Sequence, residues 1–119
     1  MRLRPEQHLR RQGDIRAVRE QGSRLDCRSF TLWWRRRPPL EAGGAAPRVA
    51  VVASIAAVGP AVSRNRAKRR LRETFRAHQQ LLPPGCDLLL VARSAVNRRS
   101  FADLENNFIE GCGRLASSV

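Results

Sequence analysis

The sequence predicts one mixed α/β domain whose elements follow the order α-β-β-β-α-β-α. Apolar residues recur at helical spacing in three separate stretches. Between them lie shorter stretches that either alternate between apolar and polar residues or are continuously apolar, as strands do. The chain has 119 residues, of which 42% are hydrophobic, and both values are typical of one folded domain. We therefore expect residues 1–119 to form a single domain.

The first helix is predicted to be short. Gly13 or Asp14 can open it, Ile15 and Val18 give it an apolar edge, and Gly22 is a suitable residue just after its last turn. A helix of about two turns is marginal alone. We therefore expect it to lean on another element.

Residues 25–36 alternate in the manner of a strand. One face carries Phe30, Leu32 and Trp34, and the other carries Ser29, Thr31 and Trp33. The first face is expected to pack on the core, whereas no helix is expected to cover the second. Two interpretations of Trp33 follow: it is a platform on which a nucleotide base can stack, or both indoles close the core.

Two stretches are expected to lie outside regular structure. Residues 1–7 are polar and basic, which is typical of a flexible tail. Residues 35–48 are rich in proline, glycine and arginine, which predicts a surface loop between two strands. The arginines of this loop either contact RNA or keep the loop soluble.

The later elements follow from apolar runs. Residues 48–53 predict a strand, and residues 55–58 predict a further short extended piece. Residues 87–93 contain a run, 88–92, that is apolar without alternation, which suits a strand buried on both faces. Ser100 begins the last helix with Asp103 three residues on, a pair similar to a capping box.

Residues 63–76 predict a strongly basic helix with two distinct sides, for which Ser63 is the candidate N-cap. An apolar stripe, expected to pack on the core, consists of Ala67, Leu71, Thr74, Phe75 and His78. A different side carries Asn65, Lys68, Arg69, Arg72 and Arg76.

The charge of this helix is unbalanced. Glu73 alone is available to pair with its cations, and like charges four residues apart repel one another. The whole chain carries a formal net charge of +13. A polyanion would relieve this repulsion, so the helix is predicted to bind phosphates; a merely solvated helix face is the alternative.

Signals of catalysis are scarce. His78 is expected to be packed, and the carboxylates are too scattered to predict a metal site. Cys27, Cys86 and Cys112 form no C-x-x-C pair and are expected to be free, buried thiols. No apolar run approaches the roughly 18 residues of a membrane span, and no signal peptide is visible. A cytoplasmic protein is expected.

Residues 62–73, which read V-S-R-N-R-A-K-R-R-L-R-E, resemble the RNR motif of the protein subunit of bacterial ribonuclease P. The resemblance extends to the opening residues 9–22, to residues 83–93 and to residues 100–105. It covers about residues 8–116.

This resemblance implies an α+β two-layer sandwich of the ribosomal-protein-S5-domain-2-like kind. Its four-stranded sheet would contain a left-handed crossover through the basic helix, although right-handed crossovers are the rule. The implied partners are a catalytic ribonuclease P RNA and precursor tRNA, whose 5′ leader the complex removes by Mg²⁺-dependent hydrolysis. The RNA would hold the Mg²⁺ and supply the chemistry, so no catalytic residue, no protein-held metal and no protein partner are implied.

The matching positions name two sites. The RNA-binding residues are Arg64, Asn65, Arg66, Lys68, Arg69 and Arg72, with Arg76 on the same side of the helix. The cleft for the leader would include Ile15, Val18 and Trp33. The chain departs from the family at Ile15 and Arg19, which replace frequent aromatics, and at residues 54–60, which lack two cations.

Two other functional classes remain open. A structural RNA-binding protein of the ribosomal type would share the charge and even the fold, but would not stimulate tRNA processing. A DNA-binding protein would need a recognition helix with base-reading side chains and usually dimer symmetry, and the sequence indicates neither.

Overall fold

The computed structural model describes residues 7–38 and 46–118. Within them the elements are α1 (Gln12–Gln21), β1 (Ser23–Asp26), β2 (Phe30–Arg36), β3 (Arg48–Val52), α2 (Ile55–Val58), α3 (Ala61–His78), β4 (Cys86–Ala92) and α4 (Phe101–Ser118). Short 3₁₀ turns lie at Gln79–Leu81 and Ser94–Asn97. The predicted tail, apart from Gln7, and the centre of the predicted loop, residues 39–45, lie outside the described residues.

The four strands form one mixed sheet in the order β1-β2-β4-β3. β2 runs antiparallel to both β1 and β4. β3 pairs with β4 in parallel, with Val49 opposite Leu88, and α3 makes the connection between them. The mixed α+β class with a four-stranded sheet is therefore confirmed.

The main core lies between one face of the sheet and helices α3 and α4. Its largest fully buried side chains are Phe30, Leu32, Leu71, Phe75, Leu88, Leu90, Val96, Leu104, Phe108 and Leu115. β4 is buried almost throughout, because Leu88 and Leu90 point into this core whereas Leu89 points to the opposite face. The continuous apolar run thus correctly predicted a strand covered on both faces.

Helix α1 packs on the opposite face of the sheet. Its Val18 is fully buried against Leu9 and Leu89, and Trp33 packs against the same group. The expectation that no helix covers the Trp33 face is therefore wrong, because the apolar edge of α1 needs a surface on which to bury itself. The expectation that α1 leans on another element is confirmed.

Gly22 ends α1 because the chain comes very close to its neighbours there. A Cβ atom at this position would lie 2.2 Å from the Trp34 carbonyl oxygen and 2.3 Å from that of Val18. The Gly22 N–H donates to the Val18 carbonyl at 3.0 Å. Its φ of −90° is open to any residue, so close approach, and not a left-handed backbone, requires the glycine.

Residues 25–36 form a hairpin and not the single predicted strand. β1 and β2 pair with Leu25 opposite Leu32. The turn between them places Arg28 at a φ of 67°, and its N–H donates to the Asp26 carboxylate at 2.9 Å. An aspartate that accepts from the backbone two residues on stabilises such a turn, so the reversal needs no glycine.

Residues 55–58 form helix α2 and not the predicted extended piece. Ser54 caps the helix, because its hydroxyl accepts from the Ala57 N–H at 3.1 Å. Ser63 is not the N-cap of the basic helix either. α3 begins at Ala61 with Pro60 in the capping position, so Ser63 lies in its first turn.

A buried carboxylate, that of Asp87, binds arginines near both ends of the predicted loop. Asp87 is fully buried and accepts from Arg48 at 2.8 and 2.7 Å and also from Arg37. Arg37, itself 6% exposed, donates to the Ala46 carbonyl at 2.7 Å as well. Arg37 and Arg48 therefore follow neither interpretation of the loop arginines, since both are structural.

The predictions for the three cysteines, for His78 and for Ser100 are confirmed. Cys27, Cys86 and Cys112 are free and buried, and burial raises the pKa of their thiols to about 11, about 12 and about 12 respectively. His78 is packed, with its Nε2 2.7 Å from a Glu105 carboxylate oxygen. The Ser100 hydroxyl accepts from the Asp103 N–H at 3.1 Å at the start of α4. Within the described residues, no helix is both long and apolar enough to span a bilayer.

Candidate nucleic-acid interface

Helix α3 has the two sides that its sequence predicts. Ala67, Leu71, Thr74 and Phe75 are fully buried on the core side. Of the polar residues outside this core side, Asn65, Arg66, Arg69 and Arg72 are exposed, and Arg64, Lys68 and Arg76 are half-buried. The core contacts fix the orientation of the helix, so these polar side chains are distributed over its remaining surface.

Most cations on the surface of α3 have no carboxylate partner within the part of the chain that the structure describes. Arg64, Arg66, Lys68, Arg69 and Arg72 form no ion pair with a carboxylate of the described residues. They lie within about two and a half turns of helix, so they repel one another. A surface of this kind is stabilised when an external anion approaches.

Arg76 differs from these cations because it is paired. Its Nε donates to the two Glu73 carboxylate oxygens at 3.1 and 3.0 Å, and its Nη2 contacts Oε1 of the same carboxylate. The hydrogen bond from Arg76 lowers the pKa of Glu73, and the same bond raises the pKa of Arg76. The positive charge of Arg76, a predicted RNA-binding residue, is therefore balanced within the protein by Glu73.

A cleft of about 420 Å³ lies beside this helix, on the face of the sheet that carries α1. Its lining residues are His8, Leu9, Arg10, Ile15, Val49, Ala50, Val51, Val52 and Arg72. Of the predicted cleft residues, Ile15 lines this space. Val18 lies on the side of α1 that faces the sheet and has no exposed surface, so it does not line the cleft directly.

Trp33 is half-buried on the same face, next to the cleft lining and not within it. The guanidinium carbon of Arg19 lies 5.9 Å from the centre of its indole ring, which is within the range of a cation–π contact. Trp33 packs against the core group beneath α1 and Trp34 packs against the main core, so both indoles contact buried groups, as the second interpretation expects. Base stacking on the remaining exposed part of Trp33 stays a prediction.

Arg72 connects the two candidate surfaces. It belongs to α3 on one face of the sheet, yet it lines the cleft that contains Ile15 on the other. This is feasible because β3 is an edge strand, so the two faces meet beside it. The sequence assigned Arg72 to the helix surface alone, since the strand order could not be read from it.

Three residues that precede α1, His8, Leu9 and Arg10, also line the cleft, and the sequence did not predict them as site residues. Leu9 is 4% exposed and its N–H donates to the Val49 carbonyl at 2.9 Å, while His8 forms a parallel bridge with Val49. This pairing brings Arg10 to the cleft. The only signal was the apolar Leu9 among polar neighbours.

The described residues contain no group of three or more His, Cys, Asp or Glu side chains that could hold a metal ion. Their two candidate surfaces present cations, amides and aliphatic groups. Such an arrangement can bind and orient a polyanion by hydrogen bonds and charge.

Comparisons with known proteins agree with this picture. A family model described as Ribonuclease P matches residues 3–116. The ribonuclease P protein component of Nitrosococcus oceani is 34% identical over 92 residues, which are 77% of this chain and 72% of that protein. That of Pseudomonas putida is 40% identical over 72 residues, 60% of this chain, and the match spans about half (53%) of that relative's length.

Solved structures share the fold. The RNase P protein of Staphylococcus aureus has a TM-score of 0.74 at 21% identity, covering 92% of this chain and 94% of that one. The RNase P protein of Thermotoga maritima has a TM-score of 0.73 at 25% identity, covering 96% of both chains. Because the family model matches residues 3–116, which are nearly all of this chain, the chain belongs to the ribonuclease P protein family.

Proposed function

We propose that this chain is the protein subunit of a ribonucleoprotein endonuclease. It binds a catalytic ribonuclease P RNA and the 5′ leader of precursor tRNA, and it promotes Mg²⁺-dependent removal of that leader. The observation that carries the proposal is the group of cations on α3 that have no carboxylate partner among the described residues, within the segment that resembles the family's RNR motif.

The helix surface would contact the catalytic RNA. Arg64, Arg66, Arg69 and Arg72 offer planar guanidinium groups that can hold a phosphate with two hydrogen bonds each, Lys68 adds a point charge, and Asn65 adds an amide. Each phosphate that they neutralise releases bound counterions, so affinity should fall steeply as salt rises.

The cleft would contact the leader of the precursor tRNA. Ile15 supplies an apolar wall, Arg10 and Arg72 supply charge at its border, and β3 forms the floor. The cleft lies beside α3, so one RNA-bound protein could hold the leader and the catalytic RNA at once. Trp33 would act through its contact with Arg19, at the base of α1.

The protein's part in the reaction is binding and orientation. We assign the Mg²⁺ ions to the RNA subunit, as the family resemblance implies, and no step of the proposal passes through a metal held by the protein. Added cations near the leader would lower the electrostatic cost of bringing two RNAs together. The cytoplasm, as expected from the sequence, is the proposed location.

The test is cleavage of a precursor tRNA at low Mg²⁺ with a bacterial ribonuclease P RNA alone, with this protein alone, and with both. Only the mixture should cut efficiently at the mature 5′ end. Arg64→Ala combined with Lys68→Ala should reduce that cleavage, whereas Arg36→Ala, an exposed arginine at the end of β2, should not.

The alternative is a structural RNA-binding protein without a role in processing. It predicts that the protein binds folded RNA with the same salt dependence, yet leaves cleavage by the RNA unchanged. If the mixture is no faster than RNA alone at any Mg²⁺ concentration, the subunit proposal is wrong and this alternative replaces it.

A further inference from the structure

Residues 94–100, between β4 and α4, carry two arginines outside the RNR-like segment. Arg98 and Arg99 are both exposed, and neither forms an ion pair with a described carboxylate. The side chain of Arg98 donates to the Ser94 hydroxyl at 2.9 Å. These two neighbouring residues therefore present unneutralised charge, as the cations on α3 do.

The backbone that carries them is well fixed. Val96 is fully buried in the main core. The N–H groups of Arg98 and Arg99 both donate to the Ala95 carbonyl, at 3.1 and 3.0 Å. Little backbone freedom remains to be lost when the arginines bind a ligand, which favours binding.

Helix α3 sets the position of this segment. The Asn97 side-chain amide donates to the Ser63 carbonyl at 2.8 Å. Arg70 Nε donates to the Val96 carbonyl at 3.2 Å, and Arg70 Nη2 donates to the Arg99 carbonyl. Val96, Asn97 and Arg99 are thus bound directly to the basic helix.

Arg70 consequently differs from its neighbours on α3. It lies within the RNR-like segment, but its guanidinium is directed at protein carbonyls, and partial burial followed by the charge of Arg66 lowers its pKa. Arg70 thereby fixes the position of the Arg98–Arg99 pair relative to the cations of α3.

We propose that Arg98 and Arg99 form a second phosphate-binding surface for the RNA that binds α3, with Arg70 and Asn97 as positioning residues. The inference rests on the proposed function. Two basic surfaces held in a fixed relative position suit a folded RNA, in which two stretches of backbone lie side by side. A single extended strand would contact only one of the two surfaces.

The composition of the surface favours RNA over a protein partner. The large hydrophobic residues that are exposed in the described chain are Val52, Ile55, Val62, Leu81 and Ile109, and none falls within residues 93–103. Protein interfaces usually have an apolar centre, and residues 93–103 supply no exposed large hydrophobic side chain to form one.

The experiment compares Arg98→Ala/Arg99→Ala with Arg24→Ala/Arg36→Ala. Both variants remove two exposed arginines, so their net charges are equal. The control residues lie on β1 and at the far end of β2, where Arg36 is opposite Cys86 at the start of β4. Binding to a bacterial ribonuclease P RNA transcript is measured across a salt series.

The Arg98/Arg99 variant should lower the slope of log affinity against log salt by about one to two units, and the control should lower it by less than about half a unit. A hydroxyl-radical footprint on the RNA should lose a set of protections that Lys68→Ala retains. Equal slopes for the two variants, or an unchanged footprint, would overturn the second surface while leaving the proposed function intact.

If the wild-type protein itself neither binds this RNA nor stimulates cleavage, the proposed function fails, and the second surface fails with it. Arg70→Lys tests the positioning role, because it keeps the charge but loses the two-carbonyl contact. It should lose the Arg98–Arg99 protections and retain those of α3; a uniform loss of all protections would contradict that role.

Discussion

Arg37 and Arg48, at the two ends of the segment between β2 and β3, contrast with the arginines on the outer side of α3. The first two converge on the buried carboxylate of Asp87, which accepts hydrogen bonds from both. On α3, Arg66, Arg69 and other cations have no carboxylate partner among the described residues. One residue type thus serves in two opposite electrostatic situations within one small domain.

The difference separates folding from binding. A buried charge is tolerated only when it is paired and hydrogen-bonded, so the Asp87 group must assemble whenever the chain folds. Unpaired cations on a helix surface add repulsion and no folding energy. Their favourable interactions come from outside the molecule, which is why the same chain can carry a net charge of +13 and still fold.

The largest expected effect comes from breaking the buried group. Asp87→Asn keeps the shape of the side chain but removes the buried negative charge that Arg37 and Arg48 share. We expect the free energy of unfolding to fall by about 3–5 kcal/mol, measured by denaturant titration.

Asp26→Asn is the matched control. Asp26 also pairs with an arginine, Arg93 at 2.9 Å, but its side chain is exposed. Its loss should therefore change stability far less than Asp87→Asn does. If the two variants are equally stable, burial does not distinguish the structural arginines from the others, and the comparison fails.

The second prediction removes charge from α3. Lys68→Ala/Arg72→Ala should lower the salt slope of RNA binding by about two units or less. The free energy of unfolding should change by less than about 0.5 kcal/mol, because neither side chain forms an ion pair with a carboxylate in residues 7–38 and 46–118. A loss of stability comparable to that of Asp87→Asn would show that these cations are structural after all.

The sequence could predict the helix surface but not the buried group. The spacing of Ala67, Leu71 and Phe75 is local, so it indicates which side of α3 faces the core. Asp87 meets partners that are 50 and 39 residues away in the chain. No local pattern identifies which of many arginines will reach it.

The errors in the strands have similar causes. The hairpin within residues 25–36 was hidden because its turn uses Arg28 and the Asp26 side chain, without the glycine or asparagine that usually signals a reversal. For α2, the apolar run 55–58 suggested an extended piece. The cap by Ser54 was readable, but a helix of four residues is too short for periodicity to reveal.

The third prediction uses Arg76, which lies on the binding side but is paired within the protein. Arg76→Ala should weaken RNA binding less than Arg72→Ala, because Glu73 already neutralises Arg76. Glu73→Gln should release the Arg76 charge and steepen the salt slope by up to about one unit.

Glu110→Gln is the control for this release, since it removes one exposed acid from α4 and changes the net charge equally. A similar gain in affinity from both variants would mean that only net charge matters. The pairing of Arg76 would then have no bearing on binding.

The smallest effect concerns pH. The hydrogen bond from Arg76 lowers the pKa of Glu73 below its usual 4.5. Because the folded-state pKa is the lower one, the contribution of this pair to stability is present above about pH 4.5 and is lost as the pH falls through the folded pKa. Both side chains are partly exposed to solvent, which screens their interaction, so the change in stability will be slight.

The pKa itself is the sharper measurement. Carboxyl NMR titration should give Glu73 a value below 4.5 in the wild-type protein, and a higher value in Arg76→Ala. In Arg72→Ala the value should stay near that of the wild type, because Arg72 makes no ion pair with Glu73. If removal of Arg72 raised the pKa of Glu73 as much as removal of Arg76, that pKa would depend on all the cations of α3 together. The distinction between the paired Arg76 and the other cations of the helix would then be wrong.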